Sequence, residues 1–299
     1  MDGTAMSRAA VLRALRRPGG RNGDGVRSLG WTPEELAEYR YAQHWNPQMA
    51  PLAPHVLQAL GHSPVAEELL APMAREVRDI EGSATRHGYA VTSAGAIHVH
   101  LATPMPGVTP AMIDWWFGWH SDSPERYRLW HPRAHVDARW ESEPPAATEG
   151  RARYLGHTSI VTEYLGSHVG RYAIAFRPPS DLGIEDQRLA DDATATAVCA
   201  RIGLADIPLD AGWLAHLVVA DPAGVNVQGG GSVMHSRFWI GGPYAAARSP
   251  RLSAVVSLGA RFARPGAADA RALLVHCAEE MTHLASFLPE LYAQEGVRE

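Results

Sequence analysis

The stretch that decides the fold is Ala267–Gln294, AADARALLVHCAEEMTHLASFLPELYAQ, near the carboxyl end of the chain. Its apolar residues recur close to the 3.6-residue period of an α-helix, which predicts one long amphipathic helix with a single buried face. The residues of that face are Leu273, Cys277, Leu284, Leu288 and Leu291. Pro289 lies inside the pattern and is expected to bend or shorten the helix near its end.

The segments that precede this helix have the two-residue period of β-strands. In Ala96–Thr103 (AIHVHLAT) the apolar residues alternate with His98 and His100, so the two histidines share one face of the strand. Further short strands are predicted at about residues 136–140, 154–165, 171–176, 194–202, 213–220 and 233–239. A series of short strands followed by one long helix predicts an α+β fold, in which the helix lies across a curved antiparallel sheet.

The amino-terminal part of the chain has a different character. Residues 1–28 are rich in Arg and Gly and are predicted to form a flexible tail. Residues 29–88 are predicted to form a helical arm, because Thr32–Glu35 (TPEE) combines a capping hydroxyl, Pro at the first helical position and acidic residues in the first turn. Two further helical stretches complete the arm, at about residues 51–60 and 64–80. Residues 89–299 then form the domain that contains the sheet and the long helix.

The composition excludes several classes of chemistry. All 27 basic side chains are Arg, so lysine-dependent Schiff-base, pyridoxal-phosphate and Walker-type phosphate sites are ruled out. The net charge of −5 gives no footprint for nucleic acid, and no apolar run reaches the roughly 18 residues that a membrane span needs. Cys199 and Cys277 cannot form a disulfide framework, and a cytoplasmic protein is expected.

Aromatic and imidazole side chains cluster between residues 115 and 140. Five of the nine tryptophans fall in this segment, interleaved with His120, His131 and His135. Such a cluster suits a pocket for a flat apolar ligand, and it equally suits a Trp-rich core with half-exposed histidines.

Candidate metal ligands lie on the predicted long helix. His276 and Glu280 are four residues apart, and His283 follows Glu280 by three, so all three side chains share one helical face. A histidine and a carboxylate at this spacing can reach one metal ion, although Glu–His pairs also occur on solvated helix edges.

The remaining ligands of such a site must come from elsewhere in the chain, since a catalytic zinc needs three or four nitrogen and oxygen ligands. The segment His131–His135 (HPRAH) offers two histidines where a strand is predicted to begin. Glu163 lies within an otherwise apolar strand and faces either a concave sheet surface or solvent.

Four motifs occur in order along the chain. They are 114–140 (DWWFGWHSDSPERYRLWHPRAHVDARW), 158–166 (TSIVTEYLG), 234–239 (MHSRFW) and 276–284 (HCAEEMTHL). Together they resemble the 2,4-diacetylphloroglucinol hydrolase family, which includes phloretin hydrolase, over roughly residues 41–292. The resemblance implies a helix-grip domain like that of the Bet v 1 proteins, preceded by the helical arm, with zinc in its cavity.

The same resemblance implies the site residues. Carried over by motif, the zinc ligands are His135, Glu163, His276 and Glu280. Tyr127 matches a tyrosine that hydrogen-bonds a phenolic hydroxyl. A second aromatic hydroxyl is expected near residues 232–235, where this chain has Ser232 and His235. This departure concerns the substrate more than the reaction.

The resemblance implies hydrolysis of the carbon–carbon bond between a polyphenol ring and its acyl group, with Zn²⁺ as cofactor and a small acylated polyphenol as substrate. The ring would tautomerise to a β-diketone and then undergo a retro-Claisen step, for which Zn²⁺ is a Lewis acid. Glu280 is expected to double as a base, and Tyr127 and His235 to hold the phenolic hydroxyls. The alternatives are a metal-free helix-grip binding protein and a polyketide-tailoring cyclase or dehydratase. Assembly as a homodimer is a further expectation.

Overall fold

The structure is a computed structural model that describes residues 31–83, 86–191, 193–248 and 264–296. The predicted tail, residues 1–28, lies outside the described residues. The α-helices of the described part are α1 (Pro33–Glu38), α2 (Pro54–His62), α3 (Met73–Arg78), α4 (Pro110–His120), α5 (Pro124–Trp130), α6 (Arg151–Tyr154) and α7 (Ala267–Glu295). Among these helices, none is long and apolar enough to cross a membrane.

The strands are β1 (Gly88–Val91), β2 (Ala96–Pro106), β3 (His135–Trp140), β4 (Thr158–Leu165), β5 (His168–Arg177), β6 (Ala195–Leu204), β7 (Leu209–Ala220), β8 (Gly231–Gly241) and β9 (Ala246–Ala247). They form one antiparallel sheet in the order β1-β2-β8-β7-β6-β5-β4-β3, and β9 pairs with β7. The predicted strands are confirmed, apart from the start of β4. That strand begins at Thr158 rather than residue 154, because residues 151–154 form α6.

The long helix α7 lies in the concave side of this sheet. It packs most extensively against β2, and it also contacts β1 and, towards the other end of the strand order, β4. Because β2 and β4 lie near opposite ends of the strand order, the sheet must curl around the helix. This is the predicted α+β helix-grip fold, a curved antiparallel sheet wrapped on a C-terminal helix.

The buried face of α7 differs slightly from the predicted one. Cys277, Leu284, Leu288 and Leu291 are buried as expected, but Leu274 takes the place of Leu273, which is only partly buried. The helix continues through Pro289 to Glu295, so it is not shortened at the proline. Apolar packing on both sides of Pro289 compensates for the missing backbone hydrogen bond.

Strand β2 separates two layers of packing. Ile97, Val99 and Leu101 belong to the main core beneath α7. His98 and His100 alternate with them and face the opposite side of the sheet, as predicted.

The helical arm contacts both layers. The predicted capping hydroxyl of Thr32 is confirmed at the start of α1, where Thr32 and Glu35 form a capping box in which each side chain accepts a hydrogen bond from the backbone N–H of the other. Val56 of α2 packs in the main core, whereas Val77 of α3 packs with Trp239 on the outer face of the sheet. The arm is therefore packed against the sheet domain along much of its length.

Two capped helices lead into the strand that carries a predicted ligand. Thr109 accepts a hydrogen bond from the backbone of Met112 at the start of α4, and Ser123 accepts one from Arg126 at the start of α5. Helix α5 ends at Trp130, and a short turn leads into β3 at His135.

We expect Leu284→Ala to lower the free energy of unfolding by about 2–5 kcal/mol, because it leaves a cavity where α7 packs on the sheet. Urea denaturation measures the change. Arg271→Ala, on an exposed position of the same helix, is the control and should change stability by less than about 0.5 kcal/mol. Equal losses in the two variants would show that the helix is not held by its apolar face.

Candidate metal centre and active-site cavity

A cavity of about 490 Å³ lies between α7 and the middle strands of the sheet. The aromatic side chains that line it are Phe117, Tyr127, Trp130, Tyr172, Phe176 and Phe238. Its ionisable side chains include His120, Glu163, His216, His276 and Glu280. Apolar walls with a few polar groups are typical of a site for a small organic molecule.

Of the five clustered tryptophans, only Trp130 lines this cavity. Trp116 is fully buried in the core. Trp115 stacks on Trp119, with ring centroids 4.9 Å apart. Most of the cluster therefore serves the core, and the flat walls of the cavity come mainly from phenylalanine and tyrosine.

The four predicted zinc ligands lie close together beside the cavity, which Glu163, His276 and Glu280 line. His135, Glu163 and His276 each offer a ligand atom within 4.8 Å of the other two, and Glu280 approaches this group through the two histidines. His135 Nε2 lies 3.3 Å from His276 Nε2, 3.5 Å from Glu280 Oε2 and 3.7 Å from Glu163 Oε2. His276 Nε2 lies 3.6 Å from Glu280 Oε2 and 3.9 Å from Glu163 Oε2. Ligands that stand about 2.0–2.2 Å from one ion in tetrahedral geometry are roughly 3.3–3.6 Å apart, which is close to these spacings.

Secondary structure brings these side chains together. His135 is directly opposite Glu163 in the pairing of β3 with β4, so the two residues are cross-strand neighbours. His276 and Glu280 are one helical turn apart on α7. The concave sheet places the two pairs face to face.

The hydrogen bonds of the two histidines leave their Nε2 atoms as acceptors. His135 Nδ1 lies 3.0 Å from the carbonyl oxygen of Tyr127, so Nδ1 carries the proton and donates it. His276 also has a backbone hydrogen bond with Tyr164, which raises the pKa of its ring, as an acceptor of a ring proton does. Two Nε2 lone pairs then face each other across 3.3 Å. This arrangement is unfavourable unless a cation lies between them, so the donor set fits a metal ion.

The protonation equilibria point to the same conclusion. Burial, together with the His276 and His131 rings, holds the pKa of His135 well below its ordinary value, and burial beside His131 does the same for His276. Both rings are therefore neutral, which is the form that binds metals. Burial raises the pKa of Glu163 to about 7, and burial beside Glu163 raises that of Glu280 well above its usual range.

Within the described ranges, no arginine forms an ion pair with Glu163 or Glu280. Two neighbouring carboxylates without a counter-charge are costly inside a protein. A divalent cation held by the four side chains would remove that cost.

Tyr127 joins the metal centre to the aromatic wall. Its hydroxyl donates a hydrogen bond to Glu163 Oε2, and burial and that carboxylate raise its pKa well above the ordinary value, so the phenol keeps its proton. Its ring stacks on His135 with centroids 3.8 Å apart and on His120 at 5.9 Å. The stack fixes the direction of the His135 ring.

The structure does not bring His235 into the cavity, contrary to the sequence prediction. In β8 the residues that face the cavity include Phe238 and Ile240, and Ser236 shares their side. His235 alternates with these residues and therefore lies on the outer face of the sheet. Ser232 Oγ donates a hydrogen bond to the carbonyl of Val108 and is likewise absent from the cavity lining.

Two cavity residues, His216 and Tyr172, have no counterpart in the sequence predictions, whereas His120 belongs to the aromatic and imidazole cluster for which a pocket was one interpretation. His216 of β7 and His120 at the end of α4 present imidazoles to the cavity, and Tyr172 of β5 lines it close to Glu163. His216 Nδ1 lies 2.8 Å from Ser236 Oγ, and His120 Nδ1 lies 2.7 Å from the carbonyl of Trp116. Alternation along β7, where His216 has the same orientation as Leu214, was the available signal.

His131 and His283, which the sequence left open, lie outside the converging set. His131 stacks on His276 with centroids 4.8 Å apart, and its Nε2 lies 3.3 Å from Glu279 Oε2. His283 packs against Phe287 on α7. His131 thus supports a ligand ring from behind.

Residues 71–293 match the model of the DAPG hydrolase PhiG domain, which covers most of the chain. The chain belongs to the DAPG hydrolase family. The resemblance carried by the four motifs is thereby confirmed, and the chain is an enzyme of the hydrolase class. A 2,4-diacetylphloroglucinol hydrolase of Pseudomonas sp is 30% identical over 269 residues, which are 86% of this chain and 88% of the relative. A phloretin hydrolase of Eubacterium ramulus is 28% identical over 274 residues, or 88% and 92% of the two chains.

Among solved structures, Ara h 8.0201 aligns with 64% of this chain and 97% of its own, at 12% identity and a TM-score of 0.35. Norcoclaurine synthase from Thalictrum flavum, in complex with dopamine and hydroxybenzaldehyde, aligns with 60% and 86% of the two chains, at 16% identity and a TM-score of 0.27.

Because His216 is buried in its neutral form, we expect the free energy of unfolding to fall at acidic pH. Burial lowers the pKa of His216 from 6.5 to about 3, so the unfolded chain binds its proton as the pH falls below 6.5 while the folded chain does not. Stability is therefore greatest above pH 6.5 and declines towards pH 3. Between pH 7.5 and 5 this histidine should remove about 2 kcal/mol from the free energy of unfolding.

His216→Gln tests this pH dependence. Urea denaturation at both pH values should show a smaller decline for His216→Gln than for the wild type, by about 2 kcal/mol. His62→Gln, at an exposed histidine of α2, is the control and should follow the wild type. If the free energy of unfolding of His216→Gln falls with pH as steeply as that of the wild type, His216 has the same pKa in the folded and unfolded states.

Proposed function

We propose that this chain hydrolyses the carbon–carbon bond between a polyphenol ring and its acyl substituent, with zinc held by His135, Glu163, His276 and Glu280. The observation that carries the proposal is the grouping of these four side chains beside an aromatic-walled cavity of about 490 Å³. The names of the two relatives, a 2,4-diacetylphloroglucinol hydrolase and a phloretin hydrolase, support an acylated polyphenol as substrate.

The proposed reaction consumes one water molecule. The hydroxyl of the water goes to the acyl carbon, the bond between ring and acyl carbon breaks, and a proton goes to the ring carbon. The products are the deacylated polyphenol and a carboxylic acid. When bound, zinc would supply a Lewis acid for the negative charge that develops on the acyl oxygen.

Glu280 is the base that we propose for the water. Its Oε2 is the atom that lies 3.5 Å from His135 Nε2 and 3.6 Å from His276 Nε2. The other carboxylate oxygen is then left to accept a proton, and the side chain lines the cavity.

Tyr127 is the group that we propose to orient the ring. Its hydroxyl keeps its proton, is fixed by Glu163 and lies in the cavity wall, so it can bind a phenolic oxygen next to the acyl group. Tyr172 lines the same cavity, and burial together with Glu163 raises the pKa of its phenol to about 12. We assign to Tyr172 the second aromatic hydroxyl that the sequence placed near residue 232.

His216 and His120 supply further polar contacts in a cavity that is otherwise mainly apolar. Burial lowers the pKa of each imidazole to about 3, so both rings are neutral at neutral pH. Because His120 Nδ1 donates to the carbonyl of Trp116, its Nε2 can accept a hydrogen bond from a phenol. A ring with several hydroxyls would satisfy these groups better than an apolar ring.

The metal assignment predicts linked losses of zinc and activity. His135→Ala and His276→Ala should each bind one equivalent of zinc less than the wild type, and should lose about 10³-fold in kcat/KM for 2,4-diacetylphloroglucinol. Elemental analysis and chromatographic detection of acetate measure the two effects. His157→Ala, at a histidine outside the four-residue set, is the matched control and should retain both zinc and activity.

Two results would contradict the proposal. If zinc-loaded wild-type protein releases no carboxylic acid from acylphloroglucinols but binds them tightly, the chain is a binding protein for such compounds. If His276→Ala and His135→Ala keep the full zinc content of the wild type, the metal site lies elsewhere.

Tyr127→Phe removes the hydroxyl but keeps the ring, so it distinguishes the role of the hydroxyl from that of the ring stack. Because the phenyl ring can still pack on His135, we expect zinc content to stay unchanged while kcat falls about 10²-fold. Steady-state kinetics with zinc-loaded protein measure the loss. Tyr292→Phe removes a hydroxyl outside the cavity and should leave kcat unchanged. Equal rates for Tyr127→Phe and the wild type would remove this hydroxyl from the mechanism.

A further inference from the structure

A second set of metal-binding side chains lies on the outer face of the sheet, away from the cavity. Glu76 of α3 meets His98 and His100 of β2 there, and all three residues are buried. One ligand atom from each lies within 4.8 Å of the other two. We propose that these residues form a second site for a divalent cation of the zinc class, which ties the helical arm to the sheet.

Strand alternation and the arm together build this set. His98 and His100 are two residues apart in β2 and so project to the same side, opposite to Ile97 and Val99. Helix α3 covers that side and brings the Glu76 carboxylate to 3.1 Å from His100 Nε2. Two histidines and one carboxylate are a ligand combination that zinc prefers.

Two buried polar atoms of the set have no hydrogen-bond partner within the described residues. They are Glu76 Oε2 and His98 Nδ1. A buried polar atom without a partner costs about 1–3 kcal/mol, and an ion is one of the ordinary explanations for it. An ion pair between Glu76 and Arg237 by itself would leave both atoms unsatisfied.

Arg237 is the charged neighbour of the set and limits its affinity. Arg237 Nε lies 3.5 Å from Glu76 Oε1, while its two Nη atoms donate to the carbonyls of Ser236 and Ile80. The guanidinium therefore approaches one carboxylate oxygen and leaves Oε2 for a cation. Because a dication adds positive charge beside Arg237, this site should bind zinc more weakly than the cavity site.

The role of this site is structural, because its ligands face away from the cavity. A cation there would link α3 of the arm to β2, the strand against which α7 packs most extensively. Binding to the folded state alone would raise the thermal stability of the protein without entering the reaction.

Metal stoichiometry of the full chain tests the proposal. After equilibrium dialysis against buffered free Zn²⁺, mass spectrometry of the elements should find two zinc ions per wild-type chain. His98→Ala and Glu76→Gln should each bind one, and so should His276→Ala, which removes a ligand of the other site. His62→Ala is the control and should bind two.

A wild-type chain that binds one zinc ion, which folded His276→Ala loses and folded Glu76→Gln keeps, would overturn the second site. The second site would also be contradicted if His98→Ala and Glu76→Gln each still bind two zinc ions. Glu76→Gln preserves the shape of the side chain, so it tests the charge if His98→Ala does not fold. The count is independent of any activity, so a failure of the proposed reaction would leave this result unaffected.

Discussion

Two largely buried carboxylates, Glu163 and Glu280, are the constraint on which the catalytic half of this molecule depends. They share one wall of a mainly apolar cavity, and no arginine of the described chain pairs with either. The chain contains no lysine to do so. Their polar neighbours are two neutral imidazoles, which present lone pairs to them, and the Tyr127 hydroxyl, which donates a hydrogen bond to Glu163. None of these groups supplies positive charge. A dication would satisfy carboxylates and imidazoles at once, and the proposed zinc would therefore allow four ionisable groups to be concentrated beside aromatic walls.

The helix-grip architecture brings the four ionisable groups together through two independent features of its geometry. Pairing of β3 with β4 sets His135 opposite Glu163, and one turn of α7 sets His276 beside Glu280. Neither feature alone makes a site. The apolar face of α7 fixes how the helix seats in the sheet, so core packing determines the distance between the two pairs. The ring stack of Tyr127 on His135 then couples that geometry to the wall that would contact a substrate ring.

Periodicity was sufficient to predict most of the strands and the candidate ligands His276 and Glu280, which lie on a helix whose phase is strongly marked by leucines. It did not predict the breaks in the arm, where the helical stretch expected at about residues 64–80 contains an α-helix only at Met73–Arg78. The family motifs added His135, Glu163 and Tyr127, and the structure brings all of these together. The failures have a common cause. The motif that contains His235 does not reveal that this residue lies on the outer face of β8, and no motif marks His216, which lies on the cavity side of β7. Likewise, α6 and β1 are short segments without clear periodicity. The Glu76, His98 and His100 cluster joins residues from the arm and the sheet, and no local pattern links such residues.

The phase of α7 also limits how this family can change in length. An insertion of one residue between His276 and Glu280 would rotate one ligand by about 100° relative to the other, and the pair would no longer face β4. An insertion just before His276 would turn both ligands away from the sheet while leaving the composition of the helix almost intact. Length differences between relatives should therefore collect in connections such as the β7–β8 loop, where Asp221 accepts hydrogen bonds from three consecutive backbone N–H groups. Helix α7 should vary by substitution alone.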